Sequence, residues 1–260
     1  MSQTPWILLR GLMRDQRHWG DFPALFQAQF PGARLLTPDL PGNGQRNREE
    51  SPARVEAMAD LYRTELRRQG IAPPYRLFGM SLGAMVAVAW SSAYPAEVES
   101  CVLSNTSLRP VSPFYHRLRP VAYPLLLRQT LREPSPAAAE RAVLDLTSRH
   151  HERTRQQLPI WTEWRRSHPV SRANGLRQLG AAIRFRAPAS APAVPLLLLC
   201  GAGDRLVSPR CSQALAALWR APLRVHPSAG HDLPLDDGEW VAQQIGDWER
   251  QRLAAGADSP

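Results

Sequence analysis

Residues 76–90 read RLFGMSLGAMVAVAW: an apolar approach, a serine between two glycines, and a long apolar exit. The stretch predicts a strand over 75–78, a sharp turn at Gly79-Met80-Ser81-Leu82-Gly83 and a helix over 82–94. Glycines suit a turn in which strand and helix backbones come too close for a Cβ. Gly-x-Ser-x-Gly alone is a weak signal. Its context adds weight, because a strand precedes it and a helix rich in small apolar residues (Gly83, Ala84, Ala87, Ala89) follows at once. Such a turn lifts the Ser81 hydroxyl above the sheet. It also sets the Leu82 N–H at a helix N-terminus, where it can stabilise a developing oxyanion.

Outward from this turn, short apolar runs alternate with helix-length amphipathic stretches. Strands are predicted at 6–9, 33–37, 75–78, 99–104, 194–200 and 223–226. Helices are predicted at 21–30, 51–69, 82–94, 208–219 and 236–253, the second with Ser51 as N-cap and Pro52 at its first position. Six strands alternating with helices imply an α/β fold, a mostly parallel sheet covered on both faces.

Residues 109–191 break this rhythm. They contain no convincing strand, and helices are predicted at 113–131, 136–149, 151–167 and 171–186 before the Pro/Ala linker APASAP (187–192). The expected organisation is a core of residues 1–108 and 192–260 with a helical lid, 109–191, over the carboxyl ends of the strands. Phe114, Tyr115, Tyr123, Leu125, Leu126, Leu127, Trp161 and Trp164 are candidates to line a substrate pocket there. The competing expectation is that most of them pack the lid onto the core.

The net charge of +9 is concentrated in the same segment. Between Arg109 and Arg186 there are fifteen arginines against five acidic residues, and the chain has no lysine. This fits an Arg-rich solvated surface, or one that attracts anionic substrates, carriers or lipid head groups. No nucleic-acid-binding motif accompanies the charge, so nucleic acid is not an expected partner. No apolar run is long enough to span a bilayer, and MSQTPWILLRGL reads as a first strand, not a signal peptide. Three cysteines (Cys101, Cys200, Cys211) cannot build a disulfide framework, which favours reduced thiols and a cytoplasmic setting. No His/Cys/Asp cluster has metal-ligand spacing, and no metal or cofactor is expected. Asp236-Asp237 reads as the first turn of the last helix.

A serine hydroxyl needs a base, and the base needs an orienting carboxylate. Of seven histidines, His231 in SAGHDLPLDD is the one on a loop at a strand's carboxyl end. His18, His116, His150, His151, His168 and His226 read as structural or surface residues. Asp204, in LLLLCGAGDRLVSP, directly follows strand 194–200. After strand 99–104 the chain has Asn105, which cannot act as an anion, and Asp39 in PDLPGNG reads as a loop or capping residue.

The order Ser…Asp…His, each residue after a parallel strand, resembles that of the α/β-hydrolase superfamily. The chain looks like its small, lidded, carboxylesterase-like members over most of residues 6–108 and 194–250. Five landmarks carry the likeness: Arg10-Gly11-Leu12, PDLPGNG (38–44), GMSLG (79–83), GAGDRLV (201–207) and AGHD (229–232). The resemblance implies Ser81 as nucleophile, His231 as general base and then acid, and Asp204 as the group orienting it. The Leu12 and Leu82 N–H groups would form the oxyanion hole. This chain departs from the pattern at Arg10, where relatives usually have His, and at Asn43 and Gln45, where they often have His and Ser. Arg10 is expected either to hold a substrate carboxylate or to make a salt bridge. The antiparallel strands that commonly open the fold are expected to be missing.

The chemistry implied is hydrolysis of a carboxylic ester or thioester, with a small-molecule acyl substrate that carries an anionic head or carrier in one version. A C–C bond hydrolase with the same three residues, or a non-catalytic ligand-binding protein on the same fold, are the alternatives. Serine at the nucleophile position disfavours aspartate-dependent dehalogenase and epoxide hydrolase chemistry.

Overall fold

The computed structural model describes residues 4–131 and 134–257. The described residues form one six-stranded sheet in which every pairing is parallel. The strands are β1 (Trp6–Leu9), β2 (Leu35–Leu36), β3 (Tyr75–Met80), β4 (Val98–Ser104), β5 (Leu196–Gly201) and β6 (Leu223–His226). The helices outside the β4–β5 segment are α1 (Phe22–Gln29), α2 (Val55–Arg68), α3 (Leu82–Ala93), α9 (Pro209–Trp219) and α10 (Leu233–Ala257).

Side chains alternate across a strand, and here both faces are apolar. Ile7, Leu9, Leu77, Leu103 and Leu198 face one cluster with Met58, Tyr62, Trp90, Leu215 and Trp219 of α2, α3 and α9. Trp6, Leu8, Phe78, Val102 and Leu199 face the other, with Phe22 and Phe26 of α1 and Val241, Ile245 and Trp248 of α10. This two-sided burial explains the uninterrupted apolar run of β5.

The spatial order is β2-β1-β3-β4-β5-β6. The chain therefore turns to one side of β1 for β2 and to the other for β3. Loops leaving the carboxyl ends of β1 and β3 diverge at such a switch and open a crevice. The register sets Leu9 opposite Gly79, so the turn after β1 lies beside Ser81.

Between β4 and β5 lie α4 (Phe114–Arg117), α5 (Tyr123–Leu131), α6 (Pro136–Thr147), α7 (His151–Ser167) and α8 (Arg172–Arg184), and no strand among the described residues. A bridge between Arg109 and Arg186 pins the two ends of this segment together.

Several boundaries differ from the sequence expectation. The helix expected over 113–131 is broken, because Leu118 and Arg119 are extended ahead of Pro120, and a residue before proline is driven out of the helical region. Ser51 does not cap α2, whose N-cap is Arg54. Instead its hydroxyl, buried, donates to Pro41 O at 2.6 Å and accepts from Gln178 Nε2 at 2.9 Å. Strand β2 keeps only two of its five expected residues. The last helix starts at Leu233, with Asp237 at φ −153° kinking its first turns. The side chain of Leu126, one of the candidate pocket residues, lies outside the described ones.

Candidate active site

Ser81 sits at φ 56° and ψ −114°, a left-handed conformation that costs energy for a residue with a Cβ. The neighbouring glycines make this turn sterically possible. A Cβ on Gly79 would lie 2.5 Å from Gly83 O, and one on Gly83 would overlap the carbonyl of Leu9. Ser81 N donates to Ser104 O at 2.9 Å, and Thr106 Oγ1 donates to Ser81 O at 3.2 Å, tying the turn to the end of β4. Leu82 opens α3, where helix N–H groups lack intrahelical acceptors.

The turn after β1 presses against this serine, and a Cβ on Gly11 would come within 3.2 Å of Ser81 Cβ. Met13 adopts φ 55°, and its N–H donates to Gln178 Oε1 at 2.8 Å. Asn43 Nδ2 donates to Arg14 O at 2.9 Å, while Gln178 Nε2 donates to Asn43 Oδ1 at 2.8 Å. A buried amide of α8 thus braces the loop that carries Leu12. Asp39 accepts from Gln16 N at 2.7 Å and serves the same loop.

His231 and Asp204 are both buried, whereas Ser81 is partly exposed. His231 Nδ1 lies 2.7 Å from Asp204 Oδ2. A carboxylate only accepts, so His231 donates from Nδ1 in this contact, and Nε2 is the ring nitrogen left for another partner. Asp204 Oδ1 accepts from Leu206 N at 2.8 Å and Val207 N at 2.9 Å. Asn105 Nδ2 completes the set, donating to Asp204 Oδ2 at 2.9 Å and to Gly230 O at 3.1 Å. The loop bearing His231 is packed tightly against β5, since a Cβ on Gly201 would lie 2.5 Å from Gly230 O. Asp236 steadies its other side, accepting from Gly230 N at 2.6 Å and Arg149 N at 2.9 Å.

Arg10 forms a two-pronged pair with Asp232, Nη2 to Oδ2 at 2.8 Å and Nη1 to Oδ1 at 3.3 Å. Both side chains are nearly fully buried, and the guanidinium lies 4.6 Å above the Trp19 ring. Burial, the largest influence, favours the neutral acid, but the Arg10 charge and hydrogen bonds together with the nearby Arg14 and His231 outweigh it and hold the Asp232 carboxyl below its usual range. The pair fastens the turn after β1 to the residue next to His231.

Two cavities meet at Ser81. The smaller, about 110 Å³, is lined by Arg10, Leu12, Arg14, Ser81, Leu125, Arg165 and His231 among others. The larger, about 280 Å³, is bounded by apolar residues including Leu82, Met85, Phe114, Tyr123 and Leu179, and also reaches Leu12 and Ser81. Of the candidate pocket residues, Phe114 and Tyr123 border the larger cavity and Leu125 the smaller. Leu127 borders neither and is exposed. Tyr115 lines a separate surface hollow with Arg119 and Pro209. Trp161 and Trp164 pack against His18 at 4.9 and 5.2 Å, with Arg14 and Arg17 above their rings. Asp232 lies in the AGHD landmark and Asp236 in the first turn of the last helix, but the sequence gives neither of them its partner, nor Gln178, and it sets Asn105 aside. Arg10, Arg149, Met13 and Asp204, which these four engage, are all distant from them in the chain.

Among the described residues, no group of three or more His, Cys, Asp or Glu side chains is placed to hold a metal ion. Nor is any helix among them long and apolar enough to cross a membrane.

The parallel sheet, the serine on a strained strand-to-helix turn and the histidine after the last strand together describe one superfamily. The chain belongs to the alpha/beta hydrolase family, whose sequence model matches residues 6–244. No curated protein gives a significant match. Solved structures do. An esterase from Thermogutta terrifontis, described in a malate-bound form, is 24% identical, with 96% of this chain and 90% of that one covered at a TM-score of 0.72. The enol-lactonase from Burkholderia xenovorans LB400 is 20% identical, with 95% and 92% covered at 0.77. The monoacylglycerol lipase of Paleococcus ferrophilus is 19% identical, with 94% and 95% covered at 0.61. At such identities the likeness establishes the fold, and chemistry has to be argued from the site.

Proposed function

We propose that this protein is a serine hydrolase that cleaves a carboxylic ester or thioester through an acyl-enzyme. The carrying observation is the His231 Nδ1 contact with Asp204 at 2.7 Å, with His231 and Ser81 lining one cavity. In this reading His231 Nε2 takes the Ser81 proton as Oγ attacks the acyl carbon. The Leu12 and Leu82 N–H groups receive the oxyanion, and Asp204 stabilises the imidazolium that forms. Collapse breaks the bond to the leaving oxygen or sulfur, which takes the proton from His231. A water then gives its proton to His231 and its hydroxyl to the acyl carbon, freeing the acid and restoring Ser81.

Residues 109–191 act as a lid in the same proposal, with residues 1–108 and 192–260 as the core. Support comes from Phe114, Tyr123 and Leu125, which this segment contributes to the cavities beside Ser81. The cytoplasmic setting belongs to this reading too, resting on three buried free thiols.

A fluorophosphonate probe together with p-nitrophenyl esters of several chain lengths tests the proposal. The native protein should label and turn over. Ser81→Ala should lose the label and at least about a thousandfold in kcat. Undiminished turnover by Ser81→Ala would overturn the proposal, and absence of labelling in native protein would favour a binding role.

A further inference from the structure

The smaller cavity beside Ser81 carries an unbalanced positive charge. Arg14, on the turn after β1, and Arg165, on α7, both line it, and both pair with a single acid, Glu140 of α6. Arg14 Nη1 lies 2.9 Å from Glu140 Oε2, and Arg165 Nε lies 2.6 Å from Oε1. Glu140 is 1% exposed, the Arg14 side chain 10% and that of Arg165 29%, so two cations, one of them buried and one half-buried, share one buried anion.

Among the described residues, the surrounding groups do not correct the imbalance. Asp232 is engaged by Arg10, and Asp15 by Arg17 at 2.8 Å. His18 contacts Arg14, but burial first and the Arg14 charge second push its pKa down to about 4, which leaves it neutral at pH 7. Arg14 Nη2 is also buried without a hydrogen-bond partner, while the Trp161 ring, 4.8 Å away, backs the guanidinium. A buried donor with no acceptor is costly, and a planar guanidinium is shaped for a carboxylate.

His231 lines this cavity and does not line the larger one. The general acid must reach the leaving atom, so the leaving group belongs on the His231 side and the acyl group in the larger, apolar cavity. At about 110 Å³ the smaller cavity is tighter than the ~150 Å³ that holds a benzene, which suits a short arm.

We infer that Arg14, with Arg165, forms a carboxylate subsite for the leaving group. The preferred substrates are then acyl esters or thioesters of short hydroxy- or mercapto-carboxylic acids, with an apolar acyl group in the larger cavity. The inference rests on the hydrolase reading and narrows its substrate class. Water supplies the hydroxyl to the acyl carbon and a proton to the leaving atom, so the products are the carboxylic acid of the acyl group and the free hydroxy or mercapto acid.

The test compares 3-(hexanoyloxy)propanoate with its uncharged amide, 3-(hexanoyloxy)propanamide, at fixed ionic strength. Wild-type kcat/KM should favour the acid by about tenfold or more. The acid-to-amide ratio should fall to about one in Arg14→Met and be largely restored in Arg14→Lys. An acid cleaved no faster than the amide by wild type overturns the inference, as does a ratio retained in Arg14→Met. Both outcomes leave the hydrolase reading standing if p-nitrophenyl hexanoate is turned over through Ser81. Calorimetry on Ser81→Ala measures the subsite without turnover: the acid should bind about tenfold tighter than the amide, and equal affinities overturn the inference.

Discussion

Asn105 Nδ2 donates to the same Asp204 oxygen that receives His231 Nδ1, at 2.9 and 2.7 Å. Asn105 Oδ1 accepts from Ser104 Oγ at 3.0 Å, which fixes the amide with its NH₂ toward Asp204. The end of β4, which supplies no carboxylate, instead supplies the donor that orients one.

Asn105→Ala should therefore lower kcat on p-nitrophenyl hexanoate by about tenfold with little change in KM, equivalent to about 1.4 kcal/mol. Asn105→Asp should be worse, because it sets a second carboxylate against Asp204. Steady-state kinetics decides the point. A kcat within twofold of wild type in Asn105→Ala would remove Asn105 from the machinery.

The Arg10–Asp232 pair invites a stability test. Arg10→Met strands a buried carboxylate and should cost about 3–5 kcal/mol, whereas the double variant Arg10→Met/Asp232→Leu should recover most of that loss. Urea denaturation of the four proteins gives the coupling directly. Additive losses would mean that the two groups do not interact.

His18 gives the fold a pH dependence of definite sign. Its folded pKa is lowered from 6.5 to about 4, mainly by burial and next by Arg14. As pH falls below 6.5 the unfolded chain takes up a proton that the folded chain refuses, so stability decreases. The loss from His18 between pH 7.5 and 5 should be about 2 kcal/mol. Urea midpoints should fall over this range, and His18→Phe should flatten the slope while keeping an aromatic ring against Trp161. Equal slopes in the two proteins would exclude His18 as the source.

Much of this molecule is legible in its sequence. Strand and helix periodicities are local, so six strands, the helices between them and the turn at Ser81 could be read from neighbouring residues. The placement of Asp204 and His231 on loops could be read for the same reason, since each lies within a few residues of a strand's end. Element ends were less legible. Ser51 carries a strong capping signal, yet its hydroxyl is taken up by Pro41 and Gln178, and that partnership depends on how α8 docks.

By itself the sequence determined the class of fold and the residue types at the strand ends, because backbone propensity and burial pattern act over a few neighbours. Only the tertiary structure decided which of those residues meet. The strand order brings Arg10 to Asp232 across 222 positions and Asn105 to Asp204 across 99. The docking of the helices after β4 sends Trp161 and Trp164 to His18 and Phe114 and Tyr123 to the cavity at Ser81. These outcomes are set by long-range packing and by the need of each buried charge for a partner, and no local window of sequence contains both halves of such a pair.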